Sequence, residues 1–281
     1  MLCLALGVAG AATAGSFKTS DGVRLHYREE GASHANTVIL VPGWTMPGWI
    51  WDGQVETLKD RYHVIAFDPR GQGESEVPEF GYARERRARD LSELIDHLDS
   101  GPVVLVGWSL GALEVLAHVA TVGDGHVAGV VLVDNSIGEE PAPQPSGRRG
   151  GVPEALTAEA RAGRRAAFVD GLFAHDPGPE YRARLTRDAL RMRPDQEQGL
   201  LRFDVPRSYW REAVYSTGRP VLYVVRPRWQ AQGEALVRTH ADAELVVMEG
   251  AGHALFVDAP GRFNALLLDF LDRRAVWTAA S

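Results

Sequence analysis

Six short apolar runs punctuate the chain: Val38 to Val41, Val64 to Phe67, Val103 to Val106, Val130 to Val133, Val221 to Val225 and Leu245 to Met248. They are rich in β-branched residues and most lack polar alternation, the pattern of strands covered on both faces in a parallel sheet. Between most of them lie segments with apolar residues at helical spacing: Trp49 to Leu58, Arg84 to Leu98, Leu110 to Val122, Gln230 to Arg238 and Pro260 to Leu271. Strands alternating with helices predict an α/β sandwich. Ahead of the first run, Ser16 to Thr19 and Arg24 to Tyr27 flank Asp21-Gly22, a hairpin signal that adds an antiparallel edge.

The alternation breaks between Gly138 and Gly218. Glu139 to Gly151 is rich in Pro, Gly and Arg and reads as a loop. Helical patterns follow around Ala155 to Phe173, Tyr181 to Met192 and Gln196 to Phe203, interrupted by Pro177-Gly178-Pro179 and Pro194. An insert that starts directly after a strand lies over the site side of an open α/β sheet. Residues 138–218 are therefore expected to form a helical lid, with 15–137 and 219–281 as the core.

At the N-terminus, Leu2 to Ala12 is apolar and Ala12-Thr13-Ala14 resembles a secretory cleavage site, so residues 1–14 read as a signal peptide, although no basic residue precedes Leu2. The stretch is shorter than the roughly 20 residues that span a bilayer, so no stable membrane anchor is expected. The compartment is periplasmic or extracellular if this segment is removed and cytoplasmic otherwise. The single cysteine, Cys3, falls inside it and leaves no disulfide to a processed chain. The 281 residues, 45% hydrophobic and 24% charged, have the make-up of a globular protein with a sizeable core. A net charge of −7 argues against a nucleic-acid or anionic-membrane partner.

Candidate chemistry is concentrated at one corner. In Pro102 to Ala120, Ser109 stands between a β-branched run and an amphipathic helical run, flanked at two positions by Gly107 and Gly111. A strained strand-to-helix turn brings backbone close on both sides, where only a residue without Cβ fits. The N–H of Leu110, first in the new helix, then points where a developing oxyanion would sit. A serine hydroxyl needs a base to take its proton. Of nine histidines, His253 is the best placed, in the small-residue loop Glu249-Gly250-Ala251-Gly252-His253 between the last strand and the final helix.

Together these pieces resemble the α/β-hydrolase superfamily, in its lid-bearing branch of esterases, lactonases, cofactor-free haloperoxidases and C–C bond hydrolases. The matching segments are Val41-Pro42-Gly43-Trp44, Asp68-Pro69-Arg70-Gly71-Gln72-Gly73-Glu74-Ser75, Gly107-Trp108-Ser109-Leu110-Gly111 and Gly252 to Pro260. The resemblance implies an α/β-hydrolase fold and makes the Trp44 N–H the second oxyanion donor beside Leu110. Pro42-Gly43 replaces the usual His-Gly, which a backbone donor tolerates. Asp68 to Ser75 reads as a structural turn. Its glycines do not make a dinucleotide site, because Glu76 stands where a third glycine belongs.

The histidine also needs a carboxylate. In most of the superfamily that acid follows the strand equivalent to Val221–Val225, but here Arg226-Pro227-Arg228-Trp229-Gln230 follows. Asp134, at the tip of the preceding strand, is the candidate, as in the haloalkane dehalogenases, since neighbouring strand ends lie only about 4.8 Å apart. Asp204 and Glu234 are the alternatives. Ser109 excludes dehalogenation, which needs a carboxylate nucleophile.

The expected reaction is acyl transfer on a small, apolar ester or lactone. Trp108, Phe256 and Trp210 are candidates for the substrate pocket, with Phe203 and Tyr209 in the lid. A cofactor-free haloperoxidase or perhydrolase on the same triad, and a non-catalytic ligand-binding member of the fold, are the competing readings. No motif implies a metal or nucleotide cofactor.

Overall fold

The structure, a computed structural model, describes residues 13–142 and 157–278. The apolar stretch Leu2 to Ala12 with Cys3, and most of the Pro- and Gly-rich loop, lie outside the described residues. Among the described residues, eight strands form one sheet: β1 (Thr13–Lys18), β2 (Arg24–Glu30), β3 (Thr37–Val41), β4 (His63–Asp68), β5 (Val103–Trp108), β6 (Val127–Val133), β7 (Val221–Val225) and β8 (Ala243–Val247). Their order is β1-β2-β4-β3-β5-β6-β7-β8. β1 and β2 are antiparallel and continue antiparallel onto β4, whereas β3 to β8 run parallel. The proposed cleavage point at Ala14 lies inside β1, opposite Arg28 of β2.

Every residue of β3 to β7 is buried, which explains why these runs carry no polar alternation. The edge strand β8 is half-buried throughout. Among the described residues, ten α-helices cover the sheet and its C-terminal rim: α1 (Asp52–Leu58), α2 (Arg84–Leu98), α3 (Leu110–Thr121), α4 (Ala158–Asp170), α5 (Pro179–Asp188), α6 (Pro194–Gly199), α7 (Arg207–Ser216), α8 (Gln230–Thr239), α9 (Leu255–Asp258) and α10 (Pro260–Arg273). Alternate strand residues feed opposite cores. Ile39, Leu105 and Leu132 pack with α2, α3, α7 and α8, while Leu40, Val106 and Val131 pack with α1 and α10.

The order in which strands are added switches sides at β3, with β4 on one side of it and the parallel β5 on the other, so the C-terminal ends of β3 and β5 open a crevice. Val41 pairs with Gly107, and Trp108 pairs with Val133. Residues 42–44, 109 and 134 therefore leave the sheet side by side.

Helix α7 is not among the helical patterns read from the sequence, although its apolar residues Tyr209, Trp210, Ala213 and Val214 follow a helical spacing and Pro206 precedes it.

Candidate active site

Ser109 occupies a backbone conformation with φ 55° and ψ −118°, which L-residues rarely adopt, between the end of β5 and the start of α3. The two glycines around it have identifiable reasons. A Cβ on Gly107 would lie 2.4 Å from the Gly111 carbonyl oxygen, and one on Gly111 would lie 2.4 Å from that of Val41. The turn is thus closed against itself and against β3. Asn135 Nδ2 donates to the Ser109 carbonyl at 2.7 Å and fixes it from the neighbouring strand end.

His253 reaches this corner from the loop after β8. Its Nε2 lies 2.8 Å from Ser109 Oγ, and its Nδ1 lies 2.6 Å from Asp134 Oδ2. The loop is pinned by Trp108 Nε1, which donates to the His253 carbonyl at 2.8 Å, and by the Gly252 N–H, which donates to Asp258 at 2.6 Å. Gly252 itself has no room for a side chain, since a Cβ would meet the Leu172 carbonyl oxygen and the Ala174 nitrogen at 2.6 Å.

Asp134 is buried at the tip of β6, with a positive φ of 47°. Burial works against its ionisation. The hydrogen bond and charge of His253, and then the Arg226 N–H and guanidinium, outweigh that penalty and hold the carboxyl below the ordinary carboxylate range. An ionised carboxylate only accepts, so the proton of the neutral imidazole sits on Nδ1 and Nε2 is left to accept from Ser109. Arg226 donates to Asp134 through its backbone N–H at 3.0 Å and its Nε at 2.7 Å. Its Nη2 stands 3.4 Å from His253 Nδ1, donor against donor, and adds no hydrogen bond there. The alternative acids are elsewhere: Asp204 and Glu234 are both exposed, and Glu234 accepts from Gln230.

Among the described residues, no acceptor takes the N–H of Trp44 or of Leu110. The loop bearing Trp44 is held by Gln72, whose Oε1 accepts from the Thr45 N–H at 2.6 Å and whose Nε2 donates to the carbonyls of Gly43 and Met46 at 3.3 and 3.1 Å. The Asp68–Ser75 turn thus has a structural task, to brace this loop. A second brace comes from the insert. Buried Arg165 of α4 donates to Thr45 Oγ1 at 2.9 Å and to Glu197 of α6 at 2.6 Å, with its guanidinium 4.4 Å from the Trp44 ring centre. Trp44 Nε1 donates to the Glu197 carbonyl at 2.7 Å. Neither Arg226 nor Arg165 was singled out from sequence for these roles. For Arg226 the signal was present, a cation where the superfamily's acid ordinarily stands.

A cavity of about 500 Å³ opens on Ser109 and His253, lined further by Phe168 and Leu172 from α4 and the turn after it and by Arg226, Arg228 and Trp229 from the segment after β7. The three aromatics expected to form the pocket lie in the core instead. Trp108 packs edge-on to Phe256, which stacks on Trp51 at 3.8 Å, and its ring centre lies 5.1 Å from that of His253. Trp210 lies under α3 on the opposite face of the sheet, with Phe203 and Tyr209 edge-on against it. Adjacency in sequence to Ser109 did not bring Trp108 into the cavity, because a strand turns successive residues to opposite sides, and Phe256 packs into the core from α9. Among the described residues, no three His, Cys, Asp or Glu side chains converge as metal ligands.

This fold is that of a known class. The model of the alpha/beta hydrolase family matches residues 38–266, and the chain belongs to that family. A non-heme chloroperoxidase of Kitasatospora aureofaciens is 28% identical over 91% of this chain and 98% of its own length. A non-heme chloroperoxidase of Streptomyces lividans is 37% identical over 120 residues, a match that spans only 42% of this chain and 44% of that protein. Among solved structures, an esterase from Rhodococcus superposes with a TM-score of 0.77 at 25% identity, covering 93% of this chain and 99% of that one.

Proposed function

We propose that the chain is a serine hydrolase that cleaves a carboxylic ester or lactone through an acyl-enzyme on Ser109. One observation carries this reading: a single imidazole stands 2.8 Å from Ser109 Oγ and 2.6 Å from a buried carboxylate. His253 Nε2 takes the hydroxyl proton as Oγ bonds to the acyl carbon. The N–H groups of Trp44 and Leu110 hold the resulting oxyanion. The tetrahedral species collapses, and the alcohol leaves with the proton from Nε2. Water then attacks the acyl carbon, gives a proton to Nε2, and the proton returns to Oγ as the acid departs. Asp134 holds the Nδ1 tautomer and stabilises the imidazolium; Arg226 positions Asp134.

Residues 138–218 act as the lid in this reading, with α4 supplying the wall against which an alkyl or aryl part of the substrate lies. Phe168 and Leu172 are suited to that contact, which supports a substrate with an apolar portion. Hydrogen peroxide could replace water in the second half-reaction and yield a peracid from the same acyl-enzyme, a reading favoured by the chloroperoxidase relatives.

Fluorophosphonate labelling of the folded protein is the test. Stoichiometric modification, lost in Ser109→Ala, together with turnover of p-nitrophenyl esters, is the expected result. Folded protein that takes no label would overturn the enzyme in favour of a binding module. Peroxide-dependent bromination measured beside ester hydrolysis separates the two reactions.

A further inference from the structure

The cavity beside Ser109 is chemically lopsided. The α4 helix and the turn after it present Phe168 and Leu172, whereas the segment after β7 presents two guanidinium groups. Arg226 is committed to Asp134 through Nε and the backbone N–H. Arg228 is not committed: it is exposed, and among the described residues no carboxylate lies within ion-pair distance of it. Its guanidinium lies 4.4 Å from the ring centre of Trp229, a buried neighbour that also lines the cavity. Stacking of this kind holds the plane of the group and leaves its N–H edges free to donate.

The charge balance points the same way. Asp134 is the one carboxylate among the described lining residues, and Arg226 and His253 already meet it. Two guanidinium groups against that carboxylate leave the described lining positive, in a chain whose net charge is −7. A cationic cleft in an acidic protein concentrates anionic substrates and repels cationic ones.

Building on the hydrolase reading above, we propose that the substrate carries a second, ionised carboxylate and that Arg228 binds it. The class is a half-ester of a dicarboxylic acid. The scissile carbonyl lies at Ser109, the carbon chain runs along Phe168 and Leu172, and the terminal carboxylate lies against the free edge of Arg228. One unpaired guanidinium matches one carboxylate, which it can hold through two parallel N–H donors. Arg228 is in this account a specificity-determining residue and takes no part in the proton transfers.

The experiment compares the p-nitrophenyl half-ester of glutaric acid with the neutral methyl p-nitrophenyl diester of the same acid. Both are assayed with the wild-type chain, Arg228→Gln and Arg228→Glu. The readout is the ratio of kcat/KM for the charged over the neutral ester. The wild type is expected to favour the half-ester by about 10- to 100-fold at low salt, the range one charge-assisted hydrogen bond supplies. That preference should shrink as ionic strength rises. The ratio should fall about tenfold or more in Arg228→Gln and further in Arg228→Glu, whatever the absolute rates. A wild-type ratio near one, or a ratio that Arg228→Glu leaves unmoved, overturns the inference while ester turnover itself upholds the hydrolase. Folded protein that hydrolyses neither ester and takes no fluorophosphonate overturns both.

Discussion

Arg226 Nε donates to Asp134 Oδ2 at 2.7 Å, the same oxygen that faces His253 Nδ1 at 2.6 Å. The carboxylate thus follows β6, and a cation follows β7, where the superfamily ordinarily places its acid. The pair anchors the imidazole and compensates a charge that would otherwise be buried alone.

Replacing Asp134 by Asn should retain the fold and lower turnover by roughly 10²- to 10⁴-fold, the range of triad-acid losses. An amide cannot enforce the Nδ1–H tautomer and leaves the Arg226 guanidinium uncompensated. Turnover of p-nitrophenyl esters beside far-ultraviolet circular dichroism checks this. Near-normal rates would remove Asp134 from the triad.

Arg226→Gln should make the protein more sensitive to acid. Burial raises the Asp134 carboxyl and its partners, Arg226 among them, more than offset that, so its net displacement is downward. A carboxyl held low in the fold contributes stability above its unfolded pKa of about 3.9 and loses it as pH falls through the folded value. Removing the guanidinium moves the folded value up. The midpoint of acid unfolding, followed by tryptophan fluorescence, is expected at higher pH in the variant, and an unmoved midpoint would contradict the linkage.

Ser109→Gly and Ser109→Ala should both abolish turnover yet differ in stability. The φ of 55° at this position strains any residue with a Cβ, and such strain costs about 1–3 kcal/mol. Part of the relief in glycine is offset by its greater unfolded entropy, roughly 0.5–1 kcal/mol. Thermal unfolding should place the glycine variant about 1 kcal/mol above the alanine one, from the difference of these ranges. Equal melting temperatures would mean that the turn carries no strain.

Arg165→Met should weaken catalysis from a distance. The side chain is buried, and its loss removes the donor to Thr45 Oγ1 and one of two cations on Glu197. Breaking a fully buried pair costs about 3–5 kcal/mol, and Arg161 remains beside Glu197, so roughly 2 kcal/mol is expected here. Because the loop carrying the Trp44 N–H loosens, kcat should fall by a similar factor for esters of different acyl length. A loss confined to one chain length would instead place Arg165 in substrate binding.

The strands, the hairpin edge and the serine corner were legible because each is local. Apolar runs of strand length report burial on both faces, and two glycines around a serine report a turn with no space for Cβ. Asp134 could be nominated because register makes the residue after β6 a neighbour of the residue after β5. The pocket was not legible. Trp108 and Phe256 adjoin Ser109 and His253 in sequence yet face the core, and Trp210 lies beyond the sheet on α7, so the cavity is bounded instead by Phe168, Leu172, Arg226 and Arg228.

The order of residues along the chain by itself determined the layered α/β architecture, the strained serine turn and the set of side chains able to activate it, since periodicity and steric exclusion act over a few residues. Only the tertiary structure decided which acid meets His253, what restrains that acid, and which surfaces enclose the reacting carbon. Those depend on contacts between segments far apart in the chain, such as Trp108 with His253, 145 residues apart, and on the facing of side chains that packing alone selects.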